Sequence, residues 1–144
     1  MANPATTIPH GAIPDLLVNQ SRWIDFFARF TRDYRGAHAR LEVLGPGVGY
    51  QVETEDRPFD GLATDVKDGE DAVWITFGST PDDHLTHGVQ GVTAIRVRPS
   101  EARTGPAVLI EARDGTKTLL ELSQPEDYAL PPAEKAEQRP GNRR

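Results

Sequence analysis

Trp23-Ile24-Asp25-Phe26-Phe27-Ala28-Arg29-Phe30-Thr31-Arg32-Asp33-Tyr34 is the stretch on which the fold turns. Trp23, Phe26, Phe27, Phe30 and Tyr34 recur at i, i+3, i+4, i+7 and i+11, which sets five rings on one helical face. Asp25, Arg29, Arg32 and Asp33 take the opposite side. Asn19 or Ser21 stands where an N-cap is wanted, and Gly36 supplies a stop. Burial of each ring contributes on the order of 1.5–3 kcal/mol, so the spacing predicts a helix that belongs to the core. An aromatic stripe can also line a ligand pocket, but packing alone already requires it here.

Working outward from the helix, residues 1–15 mix Pro, Thr, Gly and Ala without a period and read as an irregular N-terminal arm. Ile13, Leu16, Leu17 and Val18 are expected to anchor its end to the core. On the other side the period changes to two. Leu41 and Val43 alternate with Arg40 and Glu42, Gly45 to Gly49 turn the chain, and Tyr50, Val52 and Thr54 alternate with Gln51, Glu53 and Glu55. The G-x-G-x-G at that turn precedes no helix, so it lacks the setting of a dinucleotide site and reads as a hairpin loop. Arg57-Pro58 reads as a further turn. Leu62, Thr64 and Val66 then form a strand, Asp68-Gly69 a hairpin turn, and Val73, Ile75 and Phe77 the next strand.

Ile95 and Val97 alternate with Arg96 and Arg98, which places both arginines on one solvated face. Val108 and Ile110 enter a last hairpin, where the apolar pattern selects the turn. A two-residue Asp114-Gly115 loop pairs Ile110 with Leu119. A three-residue Arg113-Asp114-Gly115 loop, with Gly115 at positive φ, pairs Val108 with Leu120 and Ile110 with Thr118. Only the longer loop collects Val108, Ile110, Leu120 and Leu122 on one face.

The expected fold class is therefore α+β: one N-terminal amphipathic helix packed on a curved, mostly antiparallel meander of about seven strands, with a short helical turn near residues 81–87. A single globular domain is expected over residues 16–132. Residues 124–132 would dock on it, and residues 133–144 would form a disordered C-terminal tail. Trp74 lies out of phase with Val73, Ile75 and Phe77. It points away from the helix, and Leu109 and Leu119 fall on the same side as a prospective interaction face.

Composition limits the chemistry. Twenty-two acidic residues against 16 basic give a net charge of −6, which disfavours nucleic acid as a partner. The chain has no cysteine, so disulfides, thiolate catalysis and zinc–thiolate sites are excluded. No apolar run approaches the ~20 residues of a membrane helix, and no secretory signal opens the chain. A cytoplasmic location with no membrane association is the expectation.

Ser79-Thr80-Pro81-Asp82-Asp83-His84-Leu85-Thr86-His87-Gly88 holds the densest polar chemistry. Read structurally, Thr80 is an N-cap, Pro81 the first helical position, Asp83 the capping-box acid and Gly88 the stop. Read chemically, His84 and His87 share a helical face, and Asp83 supplies a third ligand to a divalent metal. The spacing is weaker than H-E-x-x-H, and His10 and His38 are remote in sequence. Asp65, Asp68, Glu70 and Asp71 flank a predicted turn, where carboxylates are ordinary, and their spacing fails the twelve-residue calcium loop. Ser79, Thr80 and Thr86 lie near the histidines without a G-x-S-x-G around them.

The order of Trp23-x-x-Phe26-Phe27, Glu42-Val43-Leu44-Gly45, Leu62-x-x-Asp65, Asp83-His84-Leu85-Thr86-His87, Ile95-x-Val97, Asp114-Gly115-Thr116 and Leu130-Pro131-Pro132 resembles a bacterial family of small proteins known only as a domain of unknown function. The resemblance spans about Ile13 to Pro132 and implies a bacterial, soluble, single-domain protein with no assigned activity. From the residues, the leading reading is a non-enzymatic protein-interaction or self-association module. It would take a protein partner or a second copy at Trp74, Leu109 and Leu119, and would need no cofactor. The alternative is metal binding or a metal-dependent activity at Asp83, His84 and His87. A ligand pocket inside the curled sheet is a third reading.

Overall fold

A computed structural model describes residues 13–67, 70–101 and 104–123. Most of the arm before residue 16, His10, the Asp68-Gly69 turn and everything from Gln124 onward, including the 133–144 tail, lie outside the described residues.

Helix α1 spans Trp23–Tyr34 and follows a single 3₁₀ turn, Gln20–Arg22. Asn19 caps that turn, its Oδ1 accepting the Ser21 N–H at 3.0 Å. Gly36, at φ 96°, ends the helical run. Trp23, Phe27 and Phe30 are buried, while Phe26 and Tyr34 pack part-buried against the same core. The Phe30 ring meets Phe59 edge-on at 5.6 Å between centroids, the geometry aromatic quadrupoles favour.

Among the described residues, eight strands form one antiparallel sheet: β1 (Leu16–Leu17), β2 (His38–Gly45), β3 (Gly49–Lys67), β4 (Glu70–Phe77), β5 (Leu85–Gln90), β6 (Val92–Arg98), β7 (Ala107–Ala112) and β8 (Lys117–Leu122). Their order is β1-β6-β7-β8-β2-β3-β4-β5. The fold of the described residues is thus α+β, with the sheet antiparallel throughout and helix α1 on its concave side.

Two departures from the expected meander have physical causes. Arg57-Pro58 is no turn: β3 runs 19 residues through it. The strand bends instead at Asp56, which adopts φ 68° where the β2–β3 register slips. Pro58 is tolerated because the strand changes partners there, from β2 before it to β4 after it. That change leaves an edge exposed on the second half of β3, and α1 covers it. Thr31 Oγ1 accepts the Leu62 N–H at 2.9 Å and donates to the Leu62 carbonyl at 3.3 Å, while the Gly36 N–H donates to Phe59 C=O at 2.8 Å. An edge sealed by side-chain and loop groups in this way cannot recruit another strand. The second departure is β5, which forms where a helical turn was expected.

The β7–β8 hairpin has the register that the apolar pattern selects, Val108 opposite Leu120 and Ile110 opposite Thr118. Gly115 stands at φ 94° and donates to Ala112 C=O at 3.0 Å, a conformation open to glycine at no steric cost. Val108, Ile110, Leu120 and Leu122 join the aromatic core. Strands β4 and β5 come near β6 and β7, so the sheet curls round that core.

Of the expected anchors, only Val18 packs on the core. Leu16 and Leu17 pair with Val97 and Arg96 through their backbone, and their side chains, with that of Ile13, stay exposed. Pro14 is buried in their place.

Candidate functional site

The polar corner between β4 and β5 is built on a capping box. Thr80 donates to Asp83 Oδ1 through its N–H at 2.9 Å and its hydroxyl at 3.0 Å. The Thr80 N–H, then the hydroxyl, holds the Asp83 carboxyl below the usual carboxylate range. The 3₁₀ turn Pro81–Asp83 ends at His84, which is extended (φ −72°, ψ 133°). The helical face expected to carry His84 and His87 together therefore does not form. A helix of about seven residues is marginal by itself, whereas residues 85–90 gain a full ladder against residues 72–77 of β4. Gly88 accordingly sits inside a strand rather than ending a helix.

His84 and His87 part company. His84 Nε2 lies 3.6 Å from Asp60 Oδ2. Asp60 occupies the bulge between Phe59 and Gly61. It accepts from Thr76 Oγ1 at 3.2 Å, and Arg35 Nε sits 3.5 Å from its other oxygen. His87 lies opposite Ile75 on the concave face. Burial pulls its pKa below the usual 6.5, with the Glu53 carboxylate pulling the other way. His38 Nδ1 pairs with Asp56 Oδ1 at 2.5 Å on the far side of the bend. Asp71 takes the Gln20 amide. Among the described residues, no three His, Asp or Glu side chains converge on a metal-sized site.

Trp74 projects from the convex face of β4, opposite Gly88 of β5. The indole lies directly over that glycine: a Cβ there would stand 2.3 Å from Trp74 Cζ3. The ring remains 37% exposed. Beyond it, β5 ends the sheet.

Leu109 and Leu119, expected beside Trp74, are instead 8% and 5% exposed and pack with Ala107 in a second small core. They lie on β7 and β8, several strands from Trp74. Charged neighbours on the same face pair with one another, and Arg98, Glu121 and Glu42 are buried among them. Arg98 and Glu121, each 6% exposed, approach to 3.6 Å; Arg96 bonds Glu111 at 3.0 Å; Arg40 bonds Glu42 at 2.5 Å and also Glu55. Arg98 is thus a buried ion-pair partner, not a solvated strand residue.

A family model described as a family of unknown function (DUF5335) matches residues 15–131. The chain belongs to this family. An uncharacterized protein of Aquifex aeolicus (strain VF5) is 28% identical over 105 residues, covering 73% of this chain and 78% of the relative. No solved structure matches the chain. Among the described residues of this DUF5335 member, no helix is long and apolar enough to cross a membrane.

Asp60, Thr76 and the β5 edge escaped the reading of the sequence. A signal for the first was present: Phe59 and Leu62, both buried, are three apart. A period-two strand can place both on one face only by bulging between them. The β5 signal was the alternation of Leu85, His87 and Val89, overshadowed by the helix-capping residues just before it.

Proposed function

We propose that this domain is a non-enzymatic interaction module whose recognition element is the free edge of β5, with Trp74 as the aromatic anchor beside it. One observation carries the reading. Of the two strands that end the sheet, β1 has only two residues, whereas the other, Leu85-Thr86-His87-Gly88-Val89-Gln90, has six, holds neither a proline nor an acidic or basic residue beyond its histidine, and carries a part-exposed indole over its glycine. Natural edge strands are normally guarded by charge, proline or a covering element. An unguarded one offers its N–H and C=O row for strand addition, the mode in which backbone bonds give affinity and flanking side chains give specificity. Tryptophan is among the residue types most often found at the energetic centre of such contacts.

The test compares the wild-type chain with Thr86→Lys, which charges the edge at an exposed position, and with Trp74→Ala. Protein retained from lysate, together with light scattering across concentration, should show association in the wild type and its loss in Thr86→Lys. Equal behaviour of all three proteins, with a monomer at every concentration, removes the reading.

Metal binding at Asp83, His84 and His87 has weaker support, since the Asp83 carboxylate is taken by Thr80 and the two histidines have different neighbours. Elemental analysis of untagged protein and melting with added zinc or manganese test it. A bound ion or a metal-dependent shift lost in His84→Ala would favour it over the edge.

A further inference from the structure

We propose that the strand received by this edge is β5 of a second copy of the chain, laid antiparallel across a two-fold axis centred on His87. The proposal rests on β5 being a recognition edge and names its occupant.

Charge points to the second copy. The chain carries a net charge of −6, so two copies repel unless they meet where charge is absent. Strands β2, β3, β4, β6, β7 and β8 each contain at least one Asp, Glu, Lys or Arg; the two edge strands, β1 and β5, contain none, and of these β1 has only two residues whereas β5 has six, enough for a ladder. This inverts the usual pattern, in which the edge is the charged strand. An acidic or basic peptide finds no complement on β5; an equally uncharged strand does, and β5 is itself one.

Symmetry fixes the register. In an isologous pair, residue i faces residue j while j faces i, and directly opposed residues must lie on the same face of the sheet. The axis therefore passes by a residue rather than between two. Leu85, His87 and Val89 face inward, opposite Phe77, Ile75 and Val73, while Thr86 and Gly88 face outward. Centred on His87, the pairing sets Leu85 against Val89 of the second copy twice over and Thr86 against its Gly88. Centred on Gly88, it sets each His87 against a valine and leaves both Leu85 residues without a partner. The first register covers Leu85, 36% exposed in the single chain. It also places Thr86 beside the glycine over which the indole of the other copy lies.

The absence of cysteine makes the register directly testable. In His87→Cys the two thiols would face each other across a pair of Cα atoms roughly 4.5–5.5 Å apart, within disulfide reach. In Gln90→Cys they would be roughly 20 Å apart, about six strand positions at ~3.4 Å each. The full-length wild type should scatter as a dimer at high concentration, and Thr86→Lys should weaken that dimer about tenfold or more. Under mild oxidation, His87→Cys should form the linked dimer at least about tenfold faster than Gln90→Cys, a ratio set by the two separations. A wild type that is monomeric at every concentration overturns the proposal, as does a His87→Cys rate no faster than that of Gln90→Cys. If the wild type is monomeric yet retains another protein that Thr86→Lys does not, the edge reading stands and only the second copy falls. If neither self-association nor such retention occurs, both fall.

Discussion

Two aspartates in this chain do the same local work with different consequences. Asp114 accepts the Thr116 N–H at 2.9 Å in the β7–β8 turn, and Asp83 accepts the Thr80 N–H at the same distance in the β4–β5 corner. Around Asp114 the chain continues as its neighbourhood promises: a three-residue loop, a glycine at positive φ, and two strands in register. Around Asp83 the cap is present, and the helix it announces stops after one turn. A cap fixes only the few residues it bonds. The conformation of the next residues depends on the partner they find. At Asp114 the continuation pairs with the strand just made, so local and tertiary preferences agree. At Asp83 the free side of β4 outcompetes a short helix, and the chain becomes β5.

The two corners should differ most in the cost of losing an apolar side chain nearby. Leu120→Ala removes a fully buried side chain and should cost about 2–5 kcal/mol in denaturant unfolding. Leu85→Ala, at the half-exposed edge, should stay under about 1 kcal/mol. Comparable losses at both sites would mean that β5 is as deeply embedded as β8.

Next in size is Gly88→Ala. Its Cβ would press on the Trp74 ring, so a cost of about 1–3 kcal/mol is expected. In a Trp74→Ala background the same substitution should be nearly neutral. A cost that survives removal of the indole would show that Gly88 is required for some other reason.

Gly115→Ala should cost about 1 kcal/mol, because alanine must enter the positive-φ well the turn requires. A neutral result would mean that the three-residue loop is readily exchanged for another.

The smallest effects are electrostatic. Because burial depresses the folded-state pKa of His87, the unfolded chain binds more protons below the ordinary value of 6.5. Stability should therefore fall as pH drops through 6.5 and level off below the folded value. His87→Gln should flatten that slope in melting curves between neutral and mildly acidic pH. Asp83 and Asp114 are also held below the ordinary 3.8. Each contributes stability above that value and loses it as pH falls through its lower folded pKa, by a small amount because both are exposed. Asp83→Asn and Asp114→Asn should each reduce the acid-side loss of melting temperature; an unchanged acid limb in either would show that its turn bond is not maintained in solution.

Legibility divides along the same line. The stripe from Trp23 to Tyr34 and the pairing of Val108 with Leu120 were readable because period and burial act on neighbouring residues. The strand through Pro58 was not, since tolerance of proline depends on a change of partner between β2 and β4. Nor was the exchange of roles on the convex face, where Trp74 stays part-exposed while Leu109 and Leu119 are buried. All three alternate out of the concave core, and period-two spacing is blind to what lies across the sheet. Of the candidate site, the Thr80–Asp83 cap is legible from its own four residues, whereas the contacts of Asp60 exist only in the folded chain.

The amino-acid order by itself determined the helix, its aromatic face, the antiparallel class and the register of the last hairpin, because each depends on spacing and a turn of fixed length. Tertiary structure alone decided that residues 85–90 become an edge strand, that Asp60 gathers Arg35, Thr76 and His84, and that Trp74 rests on Gly88. Those contacts join residues well separated along the chain, where only the folded backbone can bring them together.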